Sequence, residues 1–317
     1  MAISIEDIKK LRAMTGAGLA DVKKALTEAE GDFDKAKELI RERGLAIAAK
    51  RSDRETSNGC VLVKQVDGFA AMVAIKCETD FVANGQDFIA LVQEILDAAV
   101  ANKCKSLDEV KALKLANGED AATAVQQRSG VTGEKMELDG YNFLEGGNVS
   151  VYDHMNKHTL ATMVQLNENN EEAGHKVAMQ VAAMKPVALD EESVPQSVKD
   201  EEFKVAVEKT KEEQVEKAVV AAIKKAGINA NLVDSDDHIE SNIKKGWLTR
   251  EEADKAIEIR KTVSAEKAAN LNENMIQNIA KGRLNKFFKE NCLIDQEFQF
   301  GDGDKQSVGE WLKAQSK

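Results

Sequence analysis

The sequence predicts an α+β fold with an N-terminal three-helix module, a core of two α+β subdomains and an inserted antiparallel helical arm. Three observations predict it. Residues 1–50 show helical periodicity alone, two later regions alternate like strands beside apolar helices, and Lys, Glu, Ala and Val dominate from Pro195 to Lys281. We therefore expect a module with its linker over 1–54, a first core subdomain over 55–140 and a second over 141–317, which carries the arm at about 199–281.

The composition of the chain argues against nucleic acid as a partner. Its 317 residues carry 44 Lys and Arg against 55 Asp and Glu, a formal net charge of −11, and aromatic residues make up 4%. Phosphate binding depends on cationic side chains and base stacking on aromatic rings, so we predict no direct nucleic-acid partner. The nearest basic cluster, Lys50, Arg51 and Arg54, is interpreted as a solvated helix end.

Cysteine use and hydropathy predict a soluble cytoplasmic protein. The four cysteines form no CxxC pair, which is typical of reduced thiols. The opening MAISIEDIKK has neither the apolar segment of a signal peptide nor an Arg-rich presequence. No run approaches the roughly 18 apolar residues that span a membrane, so we expect no membrane partner.

Residues 1–50 are predicted to form three short helices. Ser4 and Asp32 are residue types that cap helix N-termini, and the two glycines of TGAG (15–18) would end the first helix. The inner faces are expected to hold Ile5, Ile8, Leu11, Leu19, Val22, Leu26, Phe33, Ala36 and Ile40. A module this small lies near the limit of independent stability, so we expect a head attached through the polar segment AKRSDRETSNG.

The segment GCVLVKQVDGFAAMVAIKCE (59–78) predicts a β-hairpin. A two-residue turn at Asp67-Gly68 pairs Cys60 with Ile75. One face of the hairpin is then apolar except for Lys64, and it holds Cys60, Leu62, Val66, Phe69, Ala71, Val73, Ile75 and Cys77. A sheet with one apolar face needs a cover, and the amphipathic helix DFIALVQEILDAAVANK (87–103) is expected to supply it.

Three further segments, GEKMELDGYNFL, NVSVYDHM and HTLATMVQL, predict a second β region between residues 133 and 166. Two shorter helices are expected before it, at 107–116 and 119–128. The helix EEAGHKVAMQVAAMK ends at Pro186 and is expected to pack on the second sheet through Val177, Val181 and Met184.

Two apolar stripes predict the helical arm. They comprise Val215, Val219, Ala222 and Ala226, and then Ala253, Ala256, Ile257 and Val263. AGINANLVDSDDH separates them, so we expect a small subdomain around Trp247 at the end of the arm. After the arm, GRLNKFFKENCLIDQEFQF predicts a helix leading into a strand, and Trp311 lies in a final short helix.

Motifs of catalysis and cofactor binding are absent from the sequence. It contains no GxxxxGK[ST] loop, no GxGxxG turn and no nucleophile elbow, so we predict a non-enzyme without cofactor or metal sites. His154 and His158 have the i, i+4 spacing of zinc ligands, but HMNKH lacks the glutamate of that motif and reads as strand. A metal-dependent hydrolase using this pair remains an alternative.

The segment CETDFVANGQDF (77–88) allows two interpretations. Local geometry favours Asp80 as the N-cap of the next helix, with Phe81 folded beneath it. The alternative is that Asp80 and Phe81 project from the end of the hairpin and are offered to another molecule.

The residues of this segment resemble a known signature. TDFVAN after an apolar hairpin is similar to the signature of the elongation factor Ts family, the nucleotide-exchange factors of elongation factor Tu. IKKLRAMTGAGLADVKKALTEAEGDFDKAKELIRERG resembles the family's N-terminal ubiquitin-associated (UBA)-like module, and VAMQVAAMKP and GRLNKFFKENCLIDQEF resemble its later signatures. The arm looks longer than the family's coiled-coil insertion, and GEKMELDGY lacks the paired arginines often found there.

The resemblance implies a partner and a site. The partner is elongation factor Tu, GDP-bound or nucleotide-free, whose Mg²⁺ is displaced by Asp80 and Phe81 while Thr79 and Val82 hold their turn. It further implies that the N-terminal module grips the GTPase domain and that the second core subdomain contacts another domain. An adaptor that binds ubiquitin-like partners through the N-terminal module is the remaining alternative.

Overall fold

The computed structural model describes residues 3–301, 303 and 305–315. Its helices are α1 (Ile5–Thr15), α2 (Leu19–Glu28), α3 (Phe33–Ala49), α4 (Asp80–Ala83), α5 (Gln86–Ala101), α6 (Leu107–Ala112), α7 (Ala121–Thr132), α8 (Glu171–Met184), α9 (Gln196–Lys225), α10 (Asp236–Lys244), α11 (Arg250–Ala269), α12 (Glu273–Asn291) and α13 (Val308–Gln315). Its strands are β1 (Asn58–Val66), β2 (Phe69–Cys77), β3 (Met136–Glu145), β4 (Val149–Asp153) and β5 (Ala161–Gln165). The predicted α+β class is confirmed.

The described residues form two compact units. The first contains the chain up to Lys185, together with 299–301 and 312–315. The second contains Pro186–Phe298 together with 303 and 305–311. None of the described helices combines the length and the apolar character that a membrane crossing requires.

The three N-terminal helices form as predicted, but two apolar residues lie outside their core. Ser4 caps α1 in a capping box, and Asp32 caps α3. The core of the module comprises Leu11, Ala17, Val22, Ala25, Leu26, Ala29 and Ala36. The predicted burial of Ile5 and Leu19 is wrong: their exposed fractions are 73% and 59%. Each is the first residue of its helix.

The hairpin forms in the predicted register, with Cys60 opposite Ile75. Asp67 and Gly68 both have positive φ, which is the conformation of the tight hairpin turn predicted there. Helix α5 covers the apolar face and buries Phe88, Val92, Ile95, Leu96 and Ala99 together with the hairpin residues. Val66 is exposed, contrary to prediction, although its partner Phe69 is buried: Val66 ends the edge strand β1, whereas Phe69 begins the central strand β2.

Strand β3 belongs to the first sheet, so its predicted place in the second β region is wrong. It pairs antiparallel with β2, giving the order β1-β2-β3. Met136 and Leu138 are buried in the same core as the hairpin residues, and β3 contacts α6 and α7. The alternation of apolar and polar residues predicts a strand but does not indicate which other strand it pairs with, so the pairing of β3 with β2 could not be predicted. β3 spans residue 140, the boundary expected between the core subdomains; that division stays a prediction.

The second sheet contains β4 and β5, and α8 packs on both strands. Val177 is buried against them as predicted, and Thr162 Oγ1 donates a hydrogen bond of 2.9 Å to the Ala178 carbonyl. Met184 is 41% exposed because it is the last residue of α8, so its predicted packing is wrong. Of the two helices expected before the β region, the first begins at Leu107 as predicted but ends at Ala112, and the second lies slightly later than predicted, at Ala121–Thr132.

In the second unit, α9 packs against both α11 and α12. The far part of the arm has a core of its own, formed by Val219, Ile223, Ile228, Ala230, Val233, Ile239, Leu248, Ala253 and Ala256. Ile259 packs against this core, whereas Ile257, predicted to do so, is 46% exposed. After α12 the described residues form isolated bridges at Cys292 and Glu297 where a strand was predicted, and Trp311 lies in α13 as expected.

Candidate partner-binding turn

The segment that follows β2 forms a single helical turn, α4, with its aromatic ring in solvent. Phe81 is 87% exposed, and Asp80 beside it is exposed. Val82 packs against the hydrophobic core and Ala83 is buried, so the turn has an inner and an outer side. The interpretation in which Phe81 folds beneath the next helix is wrong, because its ring is exposed, whereas Phe88 is the phenylalanine that α5 buries in the core.

The turn is capped by Thr79 and not by Asp80. The Val82 amide donates to Thr79 Oγ1 at 3.3 Å, and Thr79 has the extended backbone of an N-cap. Asp80 is therefore left without a capping role and stands in the first helical turn next to Phe81.

The carboxylate of Glu134, two residues after the end of α7, holds the base of the turn. Glu134 accepts hydrogen bonds from the Glu78 amide at 3.2 Å and from the Thr79 amide at 3.0 Å. Thr79 Oγ1 donates to the other Glu134 oxygen at 2.6 Å. Sequence reasoning missed Glu134, because 55 positions separate it from Thr79 and no local pattern links the two. The sequence offered one indication of its position: Glu134 directly follows Gly133, a residue type that ends helices and that ends α7 here.

The exit of the turn is held by two hydrogen bonds to backbone carbonyls. Asn84 Nδ2 donates to the Asp80 carbonyl at 2.8 Å, and the Gly85 amide donates to the Val82 carbonyl at 2.9 Å. A Cβ on Gly85 would lie 3.1 Å from the Val82 oxygen, so glycine suits this tight return into α5. The turn is thus fixed at both ends while its outer side stays open.

The basic cluster predicted as a solvated helix end is partly engaged with the protein itself. Arg51 donates to the Ser129 carbonyl at 3.1 Å, and Arg54 lies 3.2 Å from a carboxylate oxygen of Glu78. The Lys135 amide, 2.6 Å from Glu78, and then Arg54 lower the pKa of that carboxyl group. Glu78 therefore links the segment after α3 to the base of the turn.

The two cysteines of the hairpin carry unreactive thiols. Burial raises the pKa of Cys60 to about 12 and that of Cys77 to about 11, so both thiols stay protonated and belong to the core as predicted. Cys77 Sγ lies 3.2 Å from the Thr79 carbonyl and donates to it.

The two histidines of the hydrolase alternative have separate partners. His158 Nδ1 lies 2.5 Å from Asp153, whereas His154 Nδ1 lies 3.0 Å from the Tyr152 hydroxyl. His154 begins a short 3₁₀ turn and not a helix that would carry both side chains on one face. Across residues 3–301, 303 and 305–315, no three His, Cys, Asp or Glu side chains are grouped so as to hold a metal ion.

A second exposed apolar surface lies on the N-terminal module. Ile5, Met14 and Leu19 are exposed by 73%, 55% and 59%, respectively. Met14 and Leu19 flank the TGAG loop, in which Gly16 has a φ of +66° and ends α1. We call Met14 and Leu19 the N-terminal apolar surface; Ile5 lies at the opposite end of α1 and is not part of it.

Comparison with known proteins identifies the family. The model of the elongation factor Ts family matches residues 78–235 and 220–317. The chain is 60% identical to elongation factor Ts of Parabacteroides distasonis, over 99% of this chain and 94% of the relative. It is 62% identical to that of Bacteroides fragilis over 94% and 90%, and 40% identical to that of Porphyromonas gingivalis over 100% and 94%. The chain belongs to the elongation factor Ts family.

The elongation factor Ts match covers the candidate turn and its support. The family model begins at residue 78, so Thr79, Asp80, Phe81, Val82 and Glu134 all lie within the matched residues. The relatives of this family also cover the N-terminal module, since they align with nearly the whole chain.

Proposed function

We propose that the protein binds elongation factor Tu·GDP and accelerates GDP release, after which GTP can rebind. The observation that carries this proposal is Phe81, which is 87% exposed on a turn whose base and exit are both fixed. A large aromatic ring held in water has no stabilising role in its own fold, whereas such rings are frequent binding anchors on partner surfaces.

The proposed mechanism uses insertion and not covalent chemistry. Phe81 enters a pocket of the GTPase, and the Asp80 carboxylate enters beside it, near the Mg²⁺ that screens the phosphate charges. Loss of Mg²⁺ coordination then weakens the binding of GDP to elongation factor Tu. Thr79 and Val82 take no direct part: Thr79 caps the turn and Val82 anchors it in the core.

Thermodynamic linkage relates the affinities of the protein for the nucleotide-free and GDP-bound forms of elongation factor Tu. The protein must bind nucleotide-free elongation factor Tu more tightly than the GDP-bound form, and GDP must weaken its binding by the same factor. Each tenfold ratio corresponds to about 1.4 kcal/mol of coupling free energy. Exchange is then faster in both directions, so nucleotide concentrations determine the final state.

The rest of the chain supplies further contacts in this proposal. The N-terminal apolar surface grips the GTPase domain, the segment 55–140 presents the turn, and the segment 141–317 contacts a second domain of the partner. Translation elongation takes place in the cytoplasm, where we place the protein.

Fluorescent GDP release tests the proposal. Elongation factor Tu loaded with labelled GDP is mixed with excess unlabelled GDP and increasing concentrations of the protein, and release is followed by stopped flow. We expect a release rate that rises with protein concentration and saturates. A rate equal to the spontaneous one at every concentration would overturn the proposal.

A further inference from the structure

Helix α7 makes an unusually close contact with α3 of the N-terminal module. A Cβ on Gly130 would lie 2.5 Å from the Gly44 Cα and 3.0 Å from the Gly44 carbonyl oxygen, which leaves no space for any side chain. The contact is asymmetric. A Cβ on Gly44 would lie 3.9 Å from Gly130 and from Gln127, an ordinary van der Waals distance.

The same helix also lies beside the TGAG loop, which is flanked by the two residues of the N-terminal apolar surface, Met14 and Leu19. Arg128 and Val131 come within 3.7 Å and 3.8 Å of the position that a Cβ would take on Gly16. Arg51, after α3, donates to the Ser129 carbonyl at 3.1 Å. The N-terminal module is therefore in contact with α7 as well as joined to the core through the segment after α3.

The C-terminal end of α7 leads directly to the base of the Phe81 turn. Ser129 Oγ donates to the Glu134 carbonyl, and the Glu134 amide lies 3.3 Å from Thr132 Oγ1. The Glu134 side chain then accepts hydrogen bonds from the Glu78 amide at 3.2 Å and from the Thr79 amide at 3.0 Å. At the other side of the turn, Arg128 pairs with Asp87 at 3.0 Å.

We propose that α7 fixes the spacing between the N-terminal apolar surface and the Phe81 turn, with Gly130 and Glu134 as positioning residues. The inference rests on the proposed function, because it assumes that both surfaces bind one GTPase at once. Two binding surfaces held at the correct distance bind more tightly than two that must first be brought into position, because the ordering cost is met in the free protein.

The two residues should affect different kinetic quantities. Gly130→Ala forces α3 away from α7 and misplaces the N-terminal surface, so we expect the protein concentration for half-maximal GDP release to rise on the order of tenfold. Gly44→Ala is the matched control: it adds the same methyl group to the same helix crossing at 3.9 Å and should leave that concentration unchanged.

Glu134 is tested by a second pair of variants. Glu134→Ala removes the acceptor for the Glu78 and Thr79 amides, so the turn loses its alignment and the maximal release rate should fall about tenfold. Glu134→Gln keeps an amide oxygen that can accept both N–H groups and should restore most of that rate. A purely structural role would lower the melting temperature of both variants without separating their rates.

The controls separate the inference from the proposed function. Circular dichroism at the assay temperature checks that each variant is folded; if Gly130→Ala is not, the Glu134 pair decides. Equal kinetics for Gly130→Ala and Gly44→Ala, or for Glu134→Ala and wild type, would overturn the inference. A wild-type protein that fails to accelerate release would instead overturn the proposed function itself.

Discussion

Phe81 and Phe88 show how the same side chain takes opposite roles within one short segment. Phe88 lies on the inner face of α5 with Val92 and Ile95, so helical spacing predicts its burial correctly. Phe81 lies on the outer side of α4, the turn that Thr79 caps and Glu134 supports. The sequence revealed an acidic and an aromatic residue beside a strand end, but the support for their turn is a long-range contact that local patterns do not contain.

These two residues give a matched test of the candidate site. Phe81→Ala should change the free energy of unfolding by about 0.5 kcal/mol or less, as is usual for exposed positions, and should slow GDP release at least about tenfold. Phe88→Ala should cost about 3–5 kcal/mol of stability, because it opens a cavity in the core. Thermal melts and stopped-flow release measure both quantities. A large loss of stability in Phe81→Ala would show that the ring is part of the fold.

At the scale of elements, the helices of the N-terminal module were predicted with their caps, and the hairpin with its register. These features depend on neighbouring residues, such as Ser4 with Asp7 or the Asp67-Gly68 turn. The pairing of β3 with β2 and the seating of α3 on α7 depend on residues far apart in the chain. Both therefore lay beyond what periodicity and turn residues can indicate.

The N-terminal apolar surface gives a prediction at this scale. Leu19→Ala should leave the melting temperature nearly unchanged, since the side chain is 59% exposed, and should weaken binding to elongation factor Tu by about 1–2 kcal/mol. Leu26→Ala, in the same helix but fully buried, should instead lose about 2–5 kcal/mol of stability. Isothermal titration calorimetry with nucleotide-free elongation factor Tu measures the affinity. Unchanged affinity in Leu19→Ala would remove this surface from the interface.

At the scale of the whole molecule, the candidate turn, Glu134 and the N-terminal module all belong to the first unit, whereas the arm belongs to the second. The far part of the arm is a helical lobe with its own core. Composition predicted the arm, because its Lys, Glu, Ala and Val content differs from the rest of the chain, and the segment AGINANLVDSDDH, which separates the two apolar stripes, predicted the lobe around Trp247. The two ion pairs where α9 meets α12 could not be foreseen from charge runs alone. They join Lys211 to Glu273 at 3.0 Å and Arg283 to Glu213 at 2.6 Å.

Replacing residues 214–270 by a short Gly-Ser turn should leave the acceleration of GDP release largely intact. The ion pair between Lys211 and Glu273 shows that the two ends of the cut are close enough for a short linker. The deletion removes the lobe with its own core and keeps both ion pairs at the α9–α12 contact.

The opposing outcome is a slower release of GDP, which would follow if Trp247 anchors the partner. Its side chain is 64% exposed, and Lys245 Nζ lies 5.0 Å from its ring centre. Stopped-flow release decides between them, with Trp247→Ala in the full chain as the control. A loss beyond about tenfold in both variants, with unchanged melting of Trp247→Ala, would place the arm in the exchange surface.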